Sequence, residues 1–402
     1  MTETLVSVVI VSRHRPEELR LCVRALEFQT YDHFEVVVVS DPATAQNISD
    51  LVPVDRVKTA ICTEANISKA RNMGIDLAAG DIIAFIDDDA IAEPTWLARL
   101  VAPLSGSNIA ASGGFVRGRN GISFQWQAEK ITHDGVSHPF KVDGTTIPEL
   151  DPDHAVKTQG TNCAFRRDML VQLGGFDESY HFYLDETDLN LRIAQAGLQT
   201  AIVPDAEVQH GYAASVHRGK DRRPKSLFEI GASQAYFAKK YDRPDQELDA
   251  GRALQRTRVK DFAANKLIDQ KEADRLMADH EAGIKQGLTR PILNDRIWPS
   301  PPEFKPFLSA DASTLHEFID ARWFFRRKAF RTARKLAQSG VPCTAIILSP
   351  TGLYHRRYFH ADGYWVQTGG IFGKSTRSDP LWAWYGYSAR VAVEKASLSN
   401  TR

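Results

Sequence analysis

The chain has 402 residues, 43% hydrophobic and 25% charged, with 50 basic and 50 acidic side chains and a formal net charge of +0. These proportions are those of a globular protein of roughly two or three domains, and they exclude wholesale disorder, collagen and a simple coiled coil. A balanced charge gives no global basic field for nucleic acid, and a chain this long folds without a disulfide or metal staple.

The four cysteines, Cys22, Cys62, Cys163 and Cys343, form no CxxC pair. A zinc knuckle is therefore excluded, and a reducing cytoplasm is the expected compartment. No apolar run approaches the ~18 residues that span a bilayer. The run 5–11 is cut off by Arg13 and Arg15 and is too short for a secretory leader. The expectation is a cytoplasmic protein whose membrane contact, if any, is peripheral to the inner face.

Residues 6–11 are a continuous β-branched run, the pattern of a strand buried on both faces. Pro16 suits a first helical turn, and Leu19, Val23 and Leu26 follow at helical spacing. A second strand is predicted over 34–39, a helix over 67–79 stopped by Gly80, and a third strand over 81–86. Another helix spans 96–104. This alternation predicts a parallel sheet with helices on both faces and ligands at the carboxyl ends of its strands. Those ends carry Ser12 and Arg15, Ser40 and Asp41, and the triplet Asp87, Asp88, Asp89.

Residues 105–160 are irregular and rich in glycine. Periodicity returns over 163–170, a helix is predicted over 186–196, a short strand over 200–203 and a helix over 226–240. A charged helical hairpin over 255–287 breaks near 268–270, and Trp298-Pro-Ser-Pro-Pro302 is a linker. Beyond it come a basic aromatic helix over 315–338, a strand over 344–348 and an aromatic stretch to Trp384. The expected organisation is an α/β domain over 1–240, a helical extension and linker over 241–300, and a small α+β domain over 301–402.

Three adjacent carboxylates repel one another, and a divalent cation on a diphosphate offsets that cost with oxygen ligands suited to Mg²⁺ or Mn²⁺. The bland alternative is a solvated turn, with Asp89 exposed at a strand end. A second acidic cluster, Asp185, Glu186 and Asp188, opens a helix directly after Tyr180-His-Phe-Tyr183. Acids in a first turn complement the helix dipole, and aromatic walls suit a general base. His210 is either a satisfied structural histidine or a ligand. The basic stretch 217–223 is either a lid or a surface loop.

Asn66, Arg71-Asn-Met-Gly74, Ala79-Gly-Asp81 and Asp87-Asp-Asp89, preceded by the strand and turn over 7–16, resemble the family 2 glycosyltransferases. The run Asp185-Glu-Thr-Asp-Leu-Asn-Leu-Arg192 resembles the catalytic helix of that family. The resemblance implies a GT-A fold over roughly 5–240, a Rossmann-like mixed sheet flanked by helices. It implies inverting transfer from a nucleotide sugar of UDP or dTDP type, with Mn²⁺ or Mg²⁺, to a saccharide or lipid-linked saccharide of the cell envelope or an exopolysaccharide. By it, Ser12, Arg15, Asp41, Arg71, Asp87 and Asp88 bind the donor, and Asp89 and His210 hold the metal. Glu186 is the base and Asp185 its neighbour, although the acids stand in inverted order and the alternative assignment stays open. The family's second strand commonly ends in Asp-Asp-Gly-Ser or Asp-Asn-Gly-Ser; here it ends Ser40-Asp-Pro-Ala43, so the base is left open. A non-catalytic nucleotide-sugar-binding or scaffold protein on the same fold is the alternative function. For 322–336 an interfacial helix attracted to anionic lipid competes with a helix packing Trp323, Phe324 and Phe330 on the last domain. Self-association remains open.

Overall fold

The computed structural model describes every residue except 1–3, 107, 133–134, 152, 212, 215–217, 220, 222, 244, 293–295, 308–314 and 400, and it leaves aside the side chains of 245–247. The β-branched runs form β1 (Val6–Ser12) and β2 (Phe34–Ser40), joined through α1 (Pro16–Leu26). The short helices α2 (Pro42–Ala45) and α3 (Ile48–Leu51) lead to β3 (Val57–Ile61), then α4 (Ile67–Leu77), β4 (Ile82–Asp87), β5 (Ala90–Ala92) and α5 (Trp96–Val101). Next come β6 (Ile109–Arg117), β7 (Phe124–Trp126), β8 (Glu129–Thr132), β9 (Ser137–Pro139), β10 (His154–Lys157) and β11 (Asn162–Arg166). The helices α6 (Arg167–Gln172) and α7 (Asp185–Gln195), the long strand β12 (Gln199–His210) and α8 (Phe228–Lys240) complete this part.

The main sheet runs in the order β3-β2-β1-β4-β11-β6-β12-β5, with β7 beside β6. Strands β1, β2, β3 and β4 are mutually parallel, whereas β11 runs antiparallel to both β4 and β6. The sheet is therefore mixed. The strand pleat sends alternate residues to opposite helical layers. Val6, Val8 and Ile10 pack with Leu19, Cys22, Val23 and Leu26 of α1, while Val9 packs with Ile75 of α4. Gly74 is needed in that second layer, because a Cβ there would meet Val9 Cγ1 at 2.3 Å. All four cysteines are buried and unlinked.

The hairpin of α9 (Asp245–Ala264) and α10 (Gln270–Thr289) packs on α8. Gly283 and Gly287 permit the close crossing: added Cβ atoms would stand 2.0 Å from Phe228 O and 2.1 Å from Ala232 O. The linker then runs back along the first domain. Trp298 covers Gly175, and Phe307 donates its N–H to Phe34 O at 2.8 Å.

The last segment forms a sheet of its own, β13 (Glu317–Arg322), β14 (Cys343–Ser349), β15 (Arg356–His360) and β16 (Tyr364–Gly370), in the order β13-β14-β16-β15. Helix α11 (Arg326–Gln338) buries Ala329, Ala333 and Ala337 on one face of it, and α12 (Tyr387–Leu398) buries Val391 and Leu398 on the other. Residues 315–338 are thus not one helix, as the pattern suggests. Their first part is drawn into a parallel ladder, Glu317 opposite Cys343 through Arg322 opposite Leu348. Tertiary pairing overrides local propensity there. Phe330 packs as expected, but Trp323 and Phe324 do not and stand exposed. This sheet joins the first domain through Phe28, Phe359 and Trp365, and through Arg402, which grips Glu93 at 3.0 Å.

Candidate active site

A cleft of about 480 Å³ opens at the carboxyl ends of β1, β2 and β4 and is closed on its far side by the start of α7. All ten residues singled out from the sequence line it: Ser12, Arg15, Asp41, Arg71, Asp87, Asp88, Asp89, Asp185, Glu186 and His210. They do different things there.

In the acidic triplet each carboxylate has its own direction. Asp88 turns back into the protein, accepting from Ser12 Oγ at 2.8 Å and Arg15 Nη1 at 2.7 Å. Burial, reinforced by Asp89 and Asp87, raises its pKa against the pull of Arg15. Asp88 therefore fixes Ser12 and Arg15 in place. Asp87 accepts from Thr161 Oγ1 at 2.6 Å and is partly open to the cleft. Asp89 is buried, contrary to the exposed strand end expected, because the β5–β12 pairing covers it: Ala90 stands opposite His210. Its Oδ2 accepts from Ala213 N at 2.6 Å, and its Oδ1 faces His210 Nε2 at 3.2 Å.

His210 is itself oriented. Its Nδ1 lies 3.0 Å from Gln125 Oε1, and its ring stacks on Trp126 with centroids 5.6 Å apart. With Nδ1–H donated to Gln125, the Nε2 lone pair points at a carboxylate oxygen. Two acceptors at that separation call for a cation between them, a proton or a metal ion. Ligand atoms of Asp87, Asp89 and His210 all lie within 4.8 Å of one another, so these three residues fit a divalent cation. Burial alone would raise the pKa of Asp89, but with a proton between them the hydrogen bond and charge of His210, together with Arg15, hold it well below the usual carboxylate range.

Across the cleft, Arg71 of α4 is buried and reaches three carboxylates. It bonds Asp185 through Nη1, approaches Glu186 Oε1 at 3.3 Å, and stands 3.8 Å from Asp87. Phe176 lies under its guanidinium at 5.1 Å. Asp185 and Glu186 differ sharply. The Asp185 side chain is 3% exposed and that of Glu186 27%. Burial, and then the charge of Glu186, push Asp185 well above its ordinary value. Burial opposes ionisation of Glu186 too, but Arg71 and a hydrogen bond from Asp185 lower it. The two acids thus differ in direction: burial disfavours the charge on Asp185, while Arg71 favours it on the more open Glu186. Tyr183 and Leu184, at φ +75° and +67°, turn the chain sharply into α7. Two left-handed residues in a row cost on the order of 1–3 kcal/mol each and set the angle at which the two acids enter the cleft. Asp188 belongs to a separate buried network with Arg192, Lys240 and Tyr241. The motif's last arginine is thus a structural partner.

Asp41 caps α2. Its oxygens accept from Ala43 N, Thr44 N, Thr44 Oγ1 and His14 N, which fills the four lone-pair directions of a carboxylate. Burial is outweighed by these bonds, and its pKa falls to about 2. It shapes the turn at the end of β2. Arg218 of the basic stretch lines the cleft, while His217, Lys220 and Arg222 lie outside the described residues.

The run Gly160-Thr-Asn-Cys-Ala-Phe-Arg-Arg167, which by the family resemblance lies beside the sugar and acceptor pocket, reaches the cleft at Gly160 and Thr161, whereas Gln125 and Trp126 escaped the sequence reading. Gly160 is the tightest: a Cβ there would meet Arg71 Nη2 at 2.1 Å and Glu186 Oε1 at 2.2 Å. Thr161, Gln125 and Trp126 hold Asp87 and His210. Gln125 and Trp126 lie on a segment with no distinctive local pattern, so only the fold reveals them.

Residues 7–174 match the sequence profile "Glycosyl transferase family 2". The chain is 30% identical over 221 residues to a glucosyl-dolichyl phosphate glucuronosyltransferase of Haloferax volcanii, covering 51% of this chain and 68% of that one. It is 27% identical over 231 residues to the O-antigen biosynthesis protein RfbC of Myxococcus xanthus, covering 52% of this chain and only 17% of that protein. A solved structure of GalNAc-T7 with UDP, GalNAc and Mn²⁺ is similar at 16% identity and a TM-score of 0.46, over 69% of this chain and 55% of that one. The chain belongs to glycosyltransferase family 2, and its helix-flanked mixed sheet is the GT-A fold.

Proposed function

We propose that the protein transfers a glycosyl group, with inversion, from a nucleotide-diphosphate sugar to an acceptor hydroxyl. The observation that carries this is the placement of a carboxylate–imidazole cluster and a partly exposed glutamate on opposite sides of one cleft, coupled through Arg71. Ser12, Arg15 and Arg71 line the donor side. Asp87, Asp89 and His210 would hold Mn²⁺ or Mg²⁺. Such a cation, when bound, neutralises charge on the leaving diphosphate. Glu186 accepts the proton of the acceptor hydroxyl as its oxygen attacks the anomeric carbon opposite the departing diphosphate. Asp185 keeps its own proton and fixes Glu186. No covalent nucleophile is required.

A UDP or dTDP donor is the reading for the nucleotide. The names of two similar proteins, one for O-antigen biosynthesis and one for a dolichyl-phosphate-linked sugar, support a saccharide or lipid-linked saccharide acceptor of the cell envelope. A panel of nucleotide sugars tests this by thermal shift with and without Mn²⁺, followed by release of nucleoside diphosphate. Metal-dependent stabilisation by one donor, with slow hydrolysis, is expected. No stabilisation by any member with either metal would sink the reading.

A further inference from the structure

The last domain carries an apolar surface that nothing described above uses. Strands β13, β14 and β16 are parallel, with Arg322 opposite Leu348 and Leu348 opposite Gly369. Their carboxyl ends form one edge only three strands wide, roughly 10 Å across at the usual strand spacing. The loops leaving that edge carry large apolar side chains pointing into solvent: Phe324 is 80% exposed, Phe325 64%, Leu353 63%, Leu381 69% and Trp384 82%. These loops leave the same edge of the sheet. Trp384 packs on Phe372 and Trp382, Gly352 lies against Trp382, and Arg322 covers the Tyr387 ring at 5.1 Å at the start of α12. Exposed clusters of this kind mark interaction sites.

Charge identifies the occupant. Segments 322–328, 350–355 and 371–386 contain Arg322, Arg326, Arg327, Lys328, Lys374 and Arg377 against a single acid, Asp379. That acid is tied up by Ser375 N and Thr376 N. The chain as a whole is balanced, so the basic excess is local. Two copies of this face would repel one another. Aromatic and leucine side chains ringed by arginine and lysine suit the headgroup layer of an anionic bilayer.

The orientation is consistent. The strand end near Arg357 sits against the cleft end of the main sheet, where Gln209 Nε2 donates to Arg357 O at 2.8 Å beside His210. The opposite end, at Gly363, sits on Arg24, near the far end of α1. The apolar edge therefore projects toward the same side as the donor cleft. We infer that this edge is a membrane-docking surface, which seats the protein on anionic lipid with the cleft turned toward the bilayer. Helix α11 contributes only the basic residues of its first turn, Arg326, Arg327 and Lys328, since its alanine face is buried on the sheet. The inference does not depend on the transfer reading, because docking needs no turnover.

Flotation of the 402-residue chain with phosphatidylglycerol-containing vesicles tests it. At low salt the protein should float, and high salt should release it. Phe324→Ser with Leu381→Ser and Trp384→Ser should lower the floated fraction at least about tenfold, the loss expected for three buried apolar side chains. Should that variant not fold by circular dichroism, Arg327→Glu with Lys328→Glu leaves the apolar patch intact and should lose the salt-sensitive part of binding. A parent protein that stays at the bottom of the gradient overturns the inference, as do variants that float like the parent. A mass that halves in light scattering on the triple substitution, without flotation of the parent, would assign the face to a second copy instead.

Discussion

Arg71 Nη2 donates to Glu186 Oε1 at 3.3 Å, while the same guanidinium holds Asp185. One buried cation thus ties two adjacent acids together, the deeper Asp185 and the more open Glu186. With the more open Glu186 proposed as the base, Glu186→Gln should lower transfer roughly 10²- to 10⁴-fold, the usual contribution of a positioned acid or base, with donor affinity nearly unchanged. Asp185→Asn keeps the shape of a protonated acid and should cost less than about tenfold on the same scale. If Asp185→Asn abolishes transfer while Glu186→Gln retains it, the roles are reversed.

The pH profile follows from the same pair. Glu186 is depressed in the folded protein, so its ionised form is favoured there. Both its activity as a base and its contribution to stability are present above the ordinary glutamate value of about 4.3 and fade only as pH falls through the lower folded value. Arg71→Gln removes the charge that depresses it, so the acidic limb of kcat should move to higher pH. A limb that stays where it was in a folded variant would show that Glu186 is not the titrating base.

Gly160 has no room for a side chain against Arg71 and Glu186. Gly160→Ala should therefore displace that pair, with an overpacking cost of about 1–3 kcal/mol. Transfer should fall, and donor affinity with it, since the displaced Arg71 lines the donor side. Denaturant midpoints and kcat measured on one preparation separate the two effects. Full activity in the alanine variant would contradict the geometry.

Gln125 orients His210 through Nδ1. Gln125→Leu should weaken Mn²⁺ dependence by about 10- to 100-fold, the usual effect of losing a residue that orients a ligand. Asp89→Ala should remove metal-dependent donor binding altogether. Titration of thermal shift with Mn²⁺ at saturating donor reads both, and unchanged midpoints would exclude this cluster as the metal site.

Arg402 pairs with buried Glu93 and lies over Trp365 at 4.6 Å. Arg402→Ala leaves a buried acid without its cation, and breaking such a pair costs on the order of 3–5 kcal/mol. Equilibrium unfolding should show the loss. A variant as stable as the parent would mean that Glu93 takes a proton or a water in compensation.

The strands over 6–11 and 34–39 and the helix over 67–79 were legible because buried parallel strands and amphipathic helices impose periods that a sequence carries in full. The ordered residues from Asn66 to Asp89 likewise named the family. Other features depended on partners distant in the chain. Residues 317–322 became a strand because β14 lay alongside, and Asp89 became buried because β12 extended to His210. The sequence alone determined which acids and which histidine could do the chemistry. Only the tertiary structure decided what each does: Asp41 and Asp88 spend their lone pairs on the protein, Asp185 is buried against Arg71, and Glu186 faces the cleft. The physical reason is that identity is written in the chain, whereas desolvation and the distance to Arg71, Arg15 and His210 are properties of the packed fold.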